Sequence, residues 1–295
     1  MSSAPSPQPP VWTIESVLRW AADDFRARGA DTPRLDAELL LGKALQSTRI
    51  QLVIDSKRPL SADELSRYRE LVKRRRSREP VAYILGEREF YGRTFRIDRR
   101  VLVPRPDTET LVDVALERTQ PISLSMRALD LCTGSGCVAI TLARERVTAR
   151  VLGADVSVDA LAVARDNALR LGSYNAAFAH GDLFGAVPDG QRFDLVTANA
   201  PYVASSEIEE LAPEIREFEP RVALDGGRDG LDVVRRIVAQ APCHLAQGGV
   251  LALEVGAGEA RSVADLLGQR GFADVEVRRD YGRVERVVSG VLKGG

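Results

Sequence analysis

Four apolar runs in this 295-residue chain end beside a side chain that accepts hydrogen bonds. They carry Asp130 in "ALDLCTGSG", Asp155 in "ARVLGAD", Asp182 in "HGDLFG" and Asn199 in "FDLVTANAPYV". A carboxylate placed as Asp155 is, about twenty residues beyond a glycine turn, can accept both hydroxyls of a ribose. It can equally cap the helix expected to start near Val158. Asp182 could accept an adenine amino proton with Leu183 and Phe184 as apolar contacts, or serve as a turn residue. Asn199 is followed by Ala200, Pro201 and Tyr202, which puts an uncharged amide, a rigid turn and a ring at the mouth of a strand. Asn and Pro are also ordinary strand terminators, so this stretch alone leaves a turn and a site both open.

The glycine turn is Cys132-Thr133-Gly134-Ser135-Gly136, between a strand and a helix start. Gly134 and Gly136 let the backbone approach a ligand closely, and the helix start offers unpaired N–H groups. Ala139 occupies the third position of a G-x-G-x-x-G spacing. Alanine is tolerated there in some dinucleotide binders, so a nicotinamide oxidoreductase stays open on this motif. In open α/β sheets ligands bind outside the carboxyl ends of strands, and all four acceptors can then face one cleft.

The elements that would hold them alternate. Strands are predicted at 127–131, 150–154, 177–180, 193–198, 249–254, 273–278 and 284–291, separated by helices. That pattern predicts an α/β fold with a mostly parallel sheet covered on both faces and an antiparallel pair at one edge. Residues 12–85 read instead as a small helical domain. Thr13 caps a helix carrying Ile14, Val17, Leu18 and Ala21; Thr32-Pro33 starts a second, with Leu35, Leu39 and Leu40 as its stripe. Ser61 and Glu64 form a capping box, with Leu60 and Leu65 as a hydrophobic staple. That third helix ends in Lys73, Arg74, Arg75, Arg76 and Arg78, a run that suits a solvated helix C-terminus or a docking patch for an acidic or RNA-bearing partner. Between them, residues 86–103 switch to strand spacing with Gly92 as a turn, a connecting β-hairpin. "PRPDTE", from Pro104, then opens a helix towards Leu111, Val112 and Leu116.

Composition excludes several classes. Lys and Arg number 41 against 42 Asp and Glu, a net charge of -1, whereas a protein built to grip a polyanion is usually basic. No apolar run approaches a membrane span. "MSSAPSPQPP" lacks the charge and apolar core of a signal peptide, and residues 1–11 are read as a disordered tail. Three cysteines suit a reducing cytoplasm without disulfides. Cys132 and Cys137 share one loop, and His180 and His244 show no ligand spacing, so no metal is expected.

The chain resembles class I S-adenosylmethionine-dependent methyltransferases with a Rossmann-like sheet, and specifically the release factor glutamine methyltransferases of the PrmC/HemK family. The resemblance covers nearly the whole chain and rests on "EPVAYILGEREFYG", "VLVPRPDTETLV", "LDLCTGSGCVAI", "NAPYV", "EPRVALDGGRDGL" and "RDYGRVERVV". Two positions depart from the family pattern. Glycine is usual where Cys132 stands, and Asn-Pro-Pro-Tyr where this chain has Asn199-Ala200-Pro201-Tyr202.

The resemblance implies residues 104–295 as the methyltransferase domain and 12–85 as the part that recognises the substrate. The implied substrate is the glutamine of the Gly-Gly-Gln motif of class I peptide chain release factors. S-adenosylmethionine is implied as methyl donor, bound by Asp130, Cys132, Thr133, Gly134, Ser135, Gly136, Asp155, Asp182, Leu183 and Asn199. The Asn199 side-chain oxygen and the Ala200 carbonyl would accept the two N–H bonds of the glutamine amide. Tyr202 and Phe184 would pack on its plane, and Pro201 would fix the turn. The competing readings are a ribosomal protein glutamine methyltransferase and an adenine or guanine amino-methyltransferase of nucleic acid. The latter is disfavoured by near-neutral charge.

Overall fold

The computed structural model describes residues 11–119 and 125–293. Apart from Val11, the expected tail lies outside the described residues. The chain forms two compact units, one ending at Leu85 and the other beginning at Gly86.

Among the described residues, the first unit holds five helices: α1 (Ile14–Ala27), α2 (Pro33–Leu45), α3 (Arg49–Ile54), α4 (Ala62–Arg76) and α5 (Val81–Leu85). Thr13 caps α1 in a reciprocal box with Ser16, and Ser61 caps α4 in one with Glu64. Ile14, Val17, Leu18, Ala21 and Phe25 of α1 pack with Ala37, Leu40, Leu41 and Ala44 of α2, and with Leu52, Tyr68 and Val72. The expected stripe of α2 is therefore corrected: Leu35 is exposed and Leu39 half-buried. Apolar residues lie all around this helix, so spacing could not choose its inner face. The choice goes with Asp36, which is buried and accepts Arg75 Nε at 2.8 Å.

That ion pair also revises the basic run of α4. Arg75 is buried, Arg74 pairs with Glu79 at 2.8 Å, Arg76 with Asp24 at 3.2 Å and Lys73 with Glu70 at 2.6 Å. The Arg78 guanidinium donates to the Arg28 carbonyl. Arg75 is thus an internal fastening of the unit, while Lys73, Arg74 and Arg76 stay exposed and paired.

The second unit opens with a hairpin of β1 (Glu87–Phe90) and β2 (Arg93–Arg96). Tyr91 and Gly92 both have positive φ, 50° and 68°, as a two-residue turn matching the strand twist requires. Then follow α6 (Glu109–Arg118), β3 (Arg127–Leu131), α7 (Cys137–Glu145), β4 (Arg150–Asp155), α8 (Val158–Arg170), β5 (Ala176–His180) and β6 (Phe193–Asn199). After them come α9 (Pro213–Arg216), α10 (Asp232–His244), β7 (Leu245–Glu254), α11 (Ala260–Gln269), β8 (Phe272–Arg279) and β9 (Glu285–Leu292). Asn167 of α8 fastens the hairpin, accepting from Arg96 N at 2.8 Å and donating to Arg96 O at 2.9 Å.

The seven-stranded sheet runs β5-β4-β3-β6-β7-β9-β8. β7–β9 and β8–β9 are antiparallel, and the pairs from β5 through to β7 are parallel. The buried middle strands read as continuous apolar runs, as strands covered on both faces do. Leu129, Leu131, Val196, Ala198, Leu251 and Leu253 are all fully buried. From β3 the chain steps to β4 and β5, then returns to lay β6 on the other side of β3. The order reverses there, so a crevice opens at the carboxyl ends of β3 and β6.

Candidate active site

The glycine turn is built on left-handed backbone. Cys132, Gly134 and Gly136 have φ of 56°, 55° and 79°. Gly136 is required on a second count, because a Cβ there would come within 2.8 Å of Ile140 Cδ1 and 3.1 Å of Ala164 Cβ, where α7 packs on α8. Thr133 N donates to Ala154 O at 3.0 Å and Gly136 N to Thr133 O at 2.8 Å. Asn167 Nδ2 donates to the Ser135 carbonyl at 3.0 Å.

Asp130 is buried and its two oxygens are already engaged. Oδ2 accepts the Thr133 hydroxyl at 2.6 Å and Oδ1 the Thr197 hydroxyl at 2.8 Å. Burial pushes its carboxyl up to about 6 against those bonds. Asp155 accepts Gly134 N on Oδ2 and Ser157 N on Oδ1, both at 2.8 Å. Burial raises its pKa and the backbone bonds oppose the rise. The cap of α8 is Ser157, whose hydroxyl accepts Ala160 N at 3.1 Å, so the capping role open to Asp155 falls to Ser157. Asp182 is exposed and pairs with Arg236 at 2.6 Å.

Asn199 ends β6, and its Nδ2 donates to the Thr108 hydroxyl at 3.1 Å. The nitrogen end of the amide thereby faces Thr108 and leaves Oδ1 as the acceptor turned elsewhere. The loop after it is pinned to the following segment. Val203 N donates to Leu224 O at 2.9 Å and Gly226 N to Val203 O at 2.8 Å. Arg105 donates to Glu219, just before that segment, at 2.7 Å.

These groups surround a cavity of about 330 Å³, within the range of small-molecule sites. Asp130, Cys132, Thr133, Gly134, Ser135, Asp155, Asp182, Leu183, Asn199 and Pro201 line it. Gly136 lies outside the lining, at the start of α7. Ala200 is buried and Tyr202 half-buried, and neither lines the cavity. Phe184 departs from expectation. It is buried and stacked on His244 with centroids 4.5 Å apart, so its ring belongs to the core and not to an acceptor site.

Thr108, Arg105, Glu219 and Glu254 were not singled out individually from sequence. "PRPDTE" and "RDYGRVERVV" meet in the structure: Arg286 pairs with Asp280 at 3.1 Å and reaches Asp107 at 3.5 Å. Glu254 left one usable signal, a lone carboxylate ending the buried run "GVLALE". The donor set fits a nucleoside-bearing ligand. Asp155 faces the glycine turn, and Ala154, Val156 and Leu183 supply apolar wall.

Residues 16–86 match the family described as PrmC N-terminal domain, and 128–218 the family described as methyltransferase domain. The release factor glutamine methyltransferase of Geobacter sulfurreducens is 43% identical over 283 residues, spanning 96% of this chain and 98% of the relative. That of Chlorobaculum tepidum is 43% identical over 291 residues, with the same coverage of each. Among solved structures, the T. thermophilus 16S rRNA N2 G1207 methyltransferase in complex with AdoMet and guanosine superposes with a TM-score of 0.52 at 19% identity. It covers 70% of this chain and 50% of that one, and shares the fold.

Proposed function

Because this chain belongs to the release factor glutamine methyltransferase family, we propose that it methylates the side-chain amide nitrogen of the Gly-Gly-Gln glutamine of class I peptide chain release factors. S-adenosylmethionine, when bound, supplies a methyl group already activated by its sulfonium. The difficulty lies with the acceptor, since a glutamine nitrogen has its lone pair delocalised into the carbonyl. Two acceptors aimed at its two N–H bonds orient that nitrogen and favour positive charge developing on it. This is positioning with preorganised electrostatics.

Asn199 Oδ1 and the Ala200 carbonyl are assigned that role, with Pro201 holding the turn and Tyr202 packing on the amide plane. The glycine turn, Asp155 and Asp182 are assigned to the donor. One observation carries the reading: Asn199, held through its nitrogen end by Thr108, opens on the same cavity as the glycine turn.

The first unit is assigned to holding the release factor. Its match to the PrmC N-terminal domain supports this. So do Ile50, Val53 and Ile54, which leave one short helix 75%, 69% and 69% exposed. The enzyme is placed in the cytoplasm, a reading its three free cysteines support. Among the described residues no helix is long and apolar enough to cross a membrane.

The test is incubation with labelled S-adenosylmethionine and a release factor, with the methyl group mapped by mass spectrometry. Label on the Gly-Gly-Gln glutamine is expected. Label only on a ribosomal protein or on nucleic acid would replace this substrate with one of the competing ones.

A further inference from the structure

We propose that Gly226 and Gly230 are positioning residues for methyl transfer: lacking side chains, they let the loop after Asp225 close on the Pro201 and Tyr202 carbonyls and so fix the Ala200 carbonyl just before them. This rests on the reading above, in which the Ala200 carbonyl accepts an N–H of the substrate amide.

Both glycines lie in "EPRVALDGGRDGL", Glu219 to Leu231. The first half of this stretch lines the cavity with Pro220, Val222, Ala223 and Asp225, whereas Gly226 and Gly230 lie outside the lining. Among the described residues neither the Pro201 nor the Tyr202 carbonyl accepts a hydrogen bond. The turn after Asn199 is therefore not held there by N–H groups. What lies against its two oxygens is glycine.

A Cβ at Gly226 would run into the Gly230 carbonyl and stand 2.8 Å from Pro201 O. One at Gly230 would run into the Tyr202 carbonyl and stand 2.6 Å from Glu259 Oε1. The carbonyls are main chain, so they could give way only by moving the turn itself. Gly256, after β7, takes the ring side of the same residue: a Cβ there would lie 3.2 Å from Tyr202 Cδ2. Glu259 joins the two approaches, since its Oε2 accepts Gly256 N at 2.8 Å.

Hydrogen bonds on either side keep the loop at this distance. Asp225 Oδ1 accepts the Ser205 hydroxyl at 2.6 Å and Gly227 N at 3.1 Å. Ser205 N donates to Gly227 O at 2.8 Å, and Asp232 N, at the start of α10, donates to Gly226 O at 3.0 Å. Residues 203–205 are thus bound to 224–227, and 201–202 must pass the glycines at close contact. A side chain at 226 or 230 would displace 201–202, and with them the Ala200 carbonyl one peptide away. Gly227 supplies a contrast within the same loop. Its φ is 88°, and the nearest atoms to a Cβ there belong to the Asp232 side chain, not to the turn.

Steady-state methyl transfer to a release factor tests this on the full chain, together with thermal unfolding and calorimetry of S-adenosylhomocysteine binding. Gly226→Ala and Gly230→Ala should each lower kcat about tenfold or more, because about 1 Å of misplacement can cost about 10²-fold. KM for the release factor and affinity for S-adenosylhomocysteine should both stay within about threefold, since the shifted carbonyl matters at the reacting nitrogen. Gly227→Ala should lower Tm, because a left-handed alanine is strained, yet keep kcat within about threefold. Either Gly226→Ala or Gly230→Ala turning over like an active parent, or Gly227→Ala losing as much kcat as they do, would overturn the positioning role. Loss of S-adenosylhomocysteine binding in Gly226→Ala and Gly230→Ala would overturn it too, making the loop a general support of the strand ends. A parent inert on release factors would overturn the reading beneath it, and this inference with it.

Discussion

The Asp155 carboxylate accepts the Gly134 amide at 2.8 Å, so the turn after β3 is tied to the last residue of β4. Its other oxygen accepts Ser157 N at the start of α8. One side chain thus sets the spacing of the two loops between which a ribose would lie.

Asp155→Ala should weaken S-adenosylmethionine binding by about 1.5–3 kcal/mol, the scale of lost charge-assisted hydrogen bonds. That is roughly ten- to 150-fold in Kd. Calorimetry showing unchanged affinity with only a lower Tm would confine Asp155 to tying the loops.

Asn199→Ala should leave cofactor affinity largely intact and lower kcat by roughly 10²-fold or more, as for loss of one preorganised transition-state partner. Single-turnover transfer to a release factor measures it. Near-normal turnover would make 199–202 an ordinary turn.

Arg75→Ala should destabilise the first unit by about 3–5 kcal/mol, because it leaves the buried Asp36 carboxylate without its cation, held by the Thr32 hydroxyl at 2.8 Å. Arg76→Ala and Lys73→Ala break exposed pairs and should each cost less than about 1 kcal/mol. Both tryptophans of the chain, Trp12 and Trp20, lie in this unit, so their fluorescence during urea unfolding reports it directly. Equal effects at the three positions would contradict the buried pair.

Cys132→Gly should change stability by no more than about 1.5 kcal/mol. Relief of a left-handed non-glycine residue, about 1–2 kcal/mol, is offset by about 0.5–1 kcal/mol of added chain freedom. Cofactor affinity should stay within about threefold, since the φ of 56° is already the one glycine would supply. A tenfold gain in affinity on calorimetry would mean that the cysteine side chain obstructs the site.

Sequence alone was most informative where an interaction is local. The Ser61–Glu64 box spans one helical turn, the Tyr91-Gly92 turn needs only two left-handed residues, and the apolar runs became the sheet because period and length are properties of neighbours in the chain. The same holds for the four acceptors at strand ends. Once the strands are parallel, their carboxyl ends share one side, so Asp155, Asp182 and Asn199 reach one cavity.

The tertiary fold decided what each side chain does there. Asp36 meets Arg75 across 39 residues, Asn199 meets Thr108 across 91, and Arg105 meets Glu219 across 114. No spacing rule pairs residues so far apart, because their nearness follows from strand order and helix packing. Phe184 shows the converse. It lies two residues after Asp182 in sequence, yet beyond a left-handed Leu183 of φ 51° its ring stacks in the core on His244. Chain position brings a residue near a site, while the packing around it decides which of its atoms, if any, face the ligand.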